Sequence, residues 1–149
     1  MASYLNQFLH TQNLSKAIVI SAHLCAEHLL FRSLFAVLPK AEMLERERSP
    51  SFPLLVSLCE AHGVISPQIG ESLRILNGIR NRCAHRGSYN PDIQDWKKLR
   101  HCLESVAVTQ PELELKIATN DPDTDELEAL ISVLEIRARA VGATDLEVG

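Results

Sequence analysis

An all-α fold, a helical up-and-down bundle, follows from three features of this chain. Aromatic residues make up only 5% of the 149 residues while Leu, Ala, Ile and Glu are plentiful, which favours helices over strands. Apolar residues recur at spacings of three and four in several segments. Prolines and glycines fall between those segments, and no internal repeat or low-complexity tract interrupts them. The length suits one domain, 1–149, with a helical core at about 14–107, a connector at about 108–122 and an additional C-terminal helix at about 123–141.

The first helix is expected from near Asn13, a candidate N-cap, to Pro39, which stops it. It is apolar on nearly every side and so belongs at the centre of the fold. A charged link, "AEMLERERSP", leads to a second helix in "SFPLLVSLCEAHG", with Pro53 in its first turn and Gly63 as its stop. The third runs from about Pro67 to Arg86, with Ile69, Leu73, Leu76, Ile79 and Cys83 on one face. The fourth, "PDIQDWKKLRHCLESVAV", turns Ile93, Trp96, Leu99 and Leu103 inward. "PELELKIATNDP" alternates at Leu113, Leu115 and Ile117 and reads as an extended connector. A last helix opens at Asp123 with Glu126 at the capping-box spacing, then Leu127, Leu130, Ile131 and Leu134 form its stripe.

A net charge of −4 argues against broad coating of nucleic acid or an anionic membrane, so any contact with nucleic acid is local. The N-terminal stretch lacks a basic segment followed by an apolar run, so no secretory signal is expected. The apolar region from Ala17 to Leu38 is interrupted by His23, Glu27, His28 and Arg32, which fits a buried helix better than a membrane span. Cys25, Cys59, Cys83 and Cys102 show no paired spacing, and reduced thiols in a cytoplasm are the expectation.

The basic residues are unevenly placed. From Ser72 to Pro91 no acid occurs, yet Arg74, Arg80, Arg82, His85 and Arg86 all lie there. Arg82, His85 and Arg86 suit the last turn of a helix, where each cation gains about 0.3–1 kcal/mol from the dipole, and Gly87 suits the left-handed position beyond it. Arg80 and Asn81 sit earlier, beside the apolar face, where an arginine needs an acid or a bound anion. Arg80 and His85 are separated by about 140° around an ideal helix, and two copies across a dyad would bring both pairs into one cleft.

Arg80-Asn81, three residues and His85 together resemble the signature of the HEPN superfamily, in which an Arg and a following polar residue precede a His near the end of a helix. The long apolar first helix with Glu27, then "FPLLVSLCEAHGVI" and "LNGIRNRCAH", is closest in layout to the mannitol-operon-repressor-like branch. The resemblance covers roughly Leu14 to Leu103 and implies a HEPN-type bundle acting as a homodimer. It implies a metal-independent endoribonuclease of toxin, phage-defence or RNA-processing type, with no cofactor and no metal. His85 would exchange protons with the ribose 2′-hydroxyl or the leaving oxygen, and Arg80 would hold the phosphate. Asn81 and Glu27 would support Arg80, and Arg82 and Arg86 would bind substrate. Attack by the 2′-hydroxyl would confine the reaction to RNA and leave a cyclic phosphate. The alternative that the same branch implies is a non-enzymatic transcriptional regulator or protein-interaction module. An antitoxin or regulatory protein is then a possible partner. The Tyr that one toxin subgroup carries two residues after the His is Gly87 here, and the nearest tyrosine is Tyr89.

Other constellations carry less. Glu27 also suits an ion pair with Arg32. Cys25-x-x-His28 and Cys59-x-x-His62 recur on two helices without zinc-finger spacing and read as packing residues, as does Cys83. There is no nucleophile elbow, glycine-rich phosphate loop or recognition helix. The acidic tail from Asp121 repels nucleic acid and is expected to dock on the bundle or a partner through its leucine stripe.

Overall fold

A computed structural model describes residues 4–43, 50–87, 89–115 and 122–143, with side chains described from Lys16 onward, those of 122–124 excepted. Five α-helices pack as a bundle: α1 Tyr4–Val37, α2 Phe52–Ala61, α3 Pro67–His85, α4 Ile93–Thr109 and α5 Pro122–Ala140, with a 3-10 turn at Pro111–Leu113. The first helix begins at Tyr4, well before the expected cap at Asn13, because "YLNQFLHTQ" holds no proline or glycine to stop it. Positions 44–49 of the charged link, Ile117 and the rest of 116–121 lie outside the described residues.

α1 is the hub and packs on α2, α3 and α5; α3 also packs on α2 and α4, and α4 on α5. Val19, Ala26, Leu29, Leu30 and Leu34 of α1 meet Leu55, Val56, Ile69, Leu73, Leu76 and Ile79 in one core. By length and composition Lys16–Val37 is apolar enough to cross a membrane; in this fold those residues form the centre of the bundle. Lys16 meets Gly87 while His23 meets Asn77, so α1 and α3 are antiparallel. Arg82 meets Asp95 while Cys102 feels the charge of Glu71, so α3 and α4 are antiparallel as well.

Local signals explain most boundaries. Ser51 and Ser66 cap α2 and α3 by accepting the N–H of Leu54 and Ile69, each with a proline in the first turn. Gly63, at φ +72°, ends α2: its N–H reaches Glu60 and that of Val64 reaches Cys59, the paired Schellman bonds. Gly142, at φ +81°, ends α5 in the same way through Arg139 and Ala138.

Four expectations need correction. Gly87 does not take a left-handed conformation; α3 ends at Arg86 in extended backbone at φ −121°, where a side-chain cluster holds the chain. Ile93 is 63% exposed, because the inward face of α4 is set by Asp95, Trp96, Leu99, Leu103 and Val106. The segment at Pro111 forms a 3-10 turn that buries Leu113, not an extended strand. Finally, α5 begins at Pro122, so Asp123 lies within the helix, and Glu126 is 1% exposed with Oε1 2.8 Å from Arg100 Nε of α4.

The leucine stripe of α5 does dock on the bundle: Leu127, Leu130, Val133 and Leu134 are buried and Ile131 packs beside them. Arg137 fastens the far end, donating from Nε to the Val64 carbonyl at 2.8 Å.

The two glycine stops predict different sensitivities. Gly63→Ala should cost about 1 kcal/mol in urea unfolding because Ala disfavours positive φ. Gly87→Ala should stay within about 0.5 kcal/mol of the parent. Equal losses at the two positions would contradict this account of the helix ends.

Candidate functional site

The end of α3 is built around one carboxylate. Asp95, 8% exposed in the first turn of α4, accepts the Arg82 Nη2 donor on Oδ1 at 2.9 Å. Its Oδ2 accepts the Tyr89 hydroxyl and, at 3.1 Å, the backbone N–H of Asp92. Asp92 in turn caps α4 by accepting the N–H groups of Gln94 and Asp95. The Arg82 guanidinium also lies over the Tyr89 ring, 5.3 Å from its centroid. Burial pushes the Tyr89 phenol up and its bond to Asp95 pushes it further, which keeps it a donor at neutral pH. Lys16 of α1 closes the cluster by donating to the Gly87 carbonyl at 2.9 Å.

Arg80 is arranged differently. It is half-buried on α3 and donates from Nη1 to the Asn81 side-chain oxygen at 3.2 Å, while Asn81 itself is exposed. Arg74–Glu60, Arg82–Asp95 and Arg100–Glu126 form ion pairs among the described residues. Neither the expected Glu27–Arg80 pair nor a Glu27–Arg32 pair is among them. Glu27 is half-buried on α1, where it joins Leu24, His28, Phe31, Pro50 and Leu55 in lining an open groove of about 260 Å³. His85 is exposed in the last turn of α3, and Arg86 is exposed at the cap.

Between α1 and α3 lies a pair of residues that sequence reasoning passed over as site members. His23, 4% exposed, sets its Nε2 3.0 Å from Asn77 Oδ1 and its ring against Phe52, with centroids 4.1 Å apart. Burial lowers the pKa of His23; the Asn77 bond opposes this, the Arg80 charge lowers it further and Glu27 raises it. His23 therefore lies within electrostatic reach of both Arg80 and Glu27. The available signal was the spacing: His23 and Glu27 are one turn apart on α1, as Asn77 and Arg80 are on α3. The Asp92-x-x-Asp95 capping spacing likewise marked the acid that engages Arg82.

The cysteines belong to the core. Cys59 donates to the Leu30 carbonyl at 3.5 Å and burial pushes its thiol up to about 12. Burial also raises Cys83, which is 7% exposed, so no reactive thiolate forms within the motif. Among the described residues no group of three or more His, Cys, Asp or Glu is placed to hold a metal ion.

Two predictions follow from this geometry. Asp95→Asn, which keeps the shape but removes the charge, should lower the unfolding free energy by about 1–3 kcal/mol; an unchanged urea midpoint would deny the cluster its role. For His23 the folded pKa lies below the ordinary 6.5, so between the two values the unfolded chain binds the extra proton. The contribution of the neutral ring is complete above pH 6.5 and is lost as pH falls towards the folded pKa. The stability gap between the parent and His23→Gln should thus shift against the parent on acidification, and a pH-independent gap would refute the assignment.

Comparison with protein-family models, with curated proteins and with solved structures gives no match.

Proposed function

We propose that this chain is a HEPN-type, metal-independent endoribonuclease acting as a homodimer. The observation that carries the reading is the state of Arg80: half-buried beside the core and without an acidic partner within ion-pairing distance among the described residues. An arginine so placed has its donors available to a phosphate, and its planar fork matches phosphate oxygens. His85, exposed on the same helix, supplies the proton carrier. In the proposed reaction the 2′-oxygen bonds to phosphorus as the bond to the 5′-oxygen breaks; His85 takes the 2′-hydroxyl proton or delivers one to the leaving oxygen, while Arg80 stabilises the charge on the phosphate oxygens.

Asn81 restrains Arg80 through its side-chain oxygen. Arg86 remains a candidate for approach electrostatics. Arg82 is not assigned to substrate, because Asp95 and Tyr89 engage it. The exposed apolar side chains Ile20 and Leu24 of α1, 38% and 58% accessible, support a homodimer on the side of α1 that carries His23 and Glu27.

The test is cleavage of a mixed RNA pool in excess chelator, with products examined for cyclic-phosphate ends. The parent should cleave, and Arg80→Ala or His85→Ala should each lower the rate about 10²–10⁴-fold. A folded parent that leaves RNA intact, or variants that cleave equally, would overturn the nuclease reading.

A further inference from the structure

We infer that Asn77 is a second phosphate-binding residue beside Arg80, its amide held in place by the buried His23; the inference rests on the phosphate-binding reading of Arg80 given above.

The argument begins with what an amide oxygen does. Asn77 Oδ1 only accepts, so its 3.0 Å contact with His23 Nε2 requires the proton on that ring nitrogen. With Oδ1 committed to His23, the two N–H donors of Asn77 Nδ2 remain on the other arm of the amide. No protein acceptor meets them among the described residues, and Asn77 is only half-buried. A solvent-facing amide of this kind is available to a ligand that accepts hydrogen bonds.

Its neighbour defines that ligand. Arg80 is three residues on, and side chains at that spacing on a helix lie about 5–6 Å apart at Cβ. An amide and a guanidinium at that separation match two oxygens of one phosphodiester, or oxygens of successive ones. Glu27, the acid on the facing helix, makes no ion pair with Arg80 among the described residues. His23 does not reach the ligand: it is 4% exposed and stacked on Phe52. It is a positioning residue that acts through Asn77. The substrate class is a single-stranded phosphodiester, bound through its backbone with no base readout from these residues.

Fluorescence anisotropy with a labelled single-stranded oligonucleotide of all-2′-deoxy sugars tests this, because the probe lacks the attacking hydroxyl and reports binding without cleavage. Asn77→Leu should weaken binding about tenfold, and Asn77→Asp more, since a carboxylate repels the phosphate. Asn77→Asp keeps an acceptor for His23, so it remains a usable probe if Asn77→Leu fails to fold. His23→Gln, which can still donate to Asn77, should bind near the parent level, whereas His23→Leu should weaken binding as Asn77→Leu does. Weakening by Arg80→Ala with parent-like binding by the Asn77 variants would overturn this inference and leave the Arg80 reading standing. Parent-like binding by Arg80→Ala and the Asn77 variants together would overturn the phosphate site itself.

Discussion

The Asp95 carboxylate anchors the C-terminal end of α3 to α4, and the character of the candidate site depends on that anchor. Asp95 gathers the Arg82 guanidinium, the Tyr89 hydroxyl and the Asp92 backbone donor at the junction of α3 and α4. A charge-assisted bond between partly buried groups is stronger than its exposed counterpart, since less of the attraction is screened. With Arg82 drawn towards α4, Arg80 two residues earlier lies about 160° around the helix and faces α1. One anchor thus commits one arginine to an acid and leaves the other, equally half-buried, without one among the described residues. It also replaces the glycine cap that the last turn lacks, because Gly87 does not adopt the left-handed conformation.

Electrostatics then separates Arg80 from the chain's other cations. The protein is acidic overall, at −4, and no acid occurs in sequence from 72 to 91, so each acid that meets this stretch comes from another element. Arg74, Arg82 and Arg100 each meet a carboxylate. Beside Arg80 stands His23, whose burial favours the neutral ring. A half-buried guanidinium that makes no ion pair with Glu27, beside a neutral imidazole, supports the proposed anion contact. Salt and a net negative surface restrict this attraction to short range, about 8 Å at physiological ionic strength. That range fits the proposed local phosphate contact better than a coat of positive charge.

The parts of this arrangement differ in how legible they were. The apolar face of α3 was written in Ile69, Leu73, Leu76, Ile79 and Cys83, all buried as their three-and-four spacing requires. Gly63 was equally plain, since a glycine after an apolar helix and before Val64 and Ile65 marks a turn. Gly87 carried the same local signal and misled, because the Asp95 cluster is tertiary and overrides glycine's freedom. Glu126 misled for a related reason: the capping spacing is local, whereas Arg100 comes from another helix. The motif residues Arg80, Asn81 and His85 were recognisable in sequence, but which of the neighbouring arginines was engaged was not. That choice is made by Asp95, thirteen residues beyond Arg82.

The two histidines near Arg80 carry different burdens for the same reason. A proton carrier in the proposed reaction must reach substrate and exchange with it, and only an accessible ring does so. His85 is exposed at the end of α3. His23 is enclosed, stacked on Phe52, and its Nε2 is already directed at Asn77. Proton transfer in the proposed reaction therefore falls to His85, while the protonation state of His23 acts on the fold; its Nε2–H holds Asn77 in either state. Acidification then acts on the fold by charging a buried ring beside Arg80. That charging raises the electrostatic cost of the folded arrangement, because it sets a second cation beside Arg80 on a buried ring.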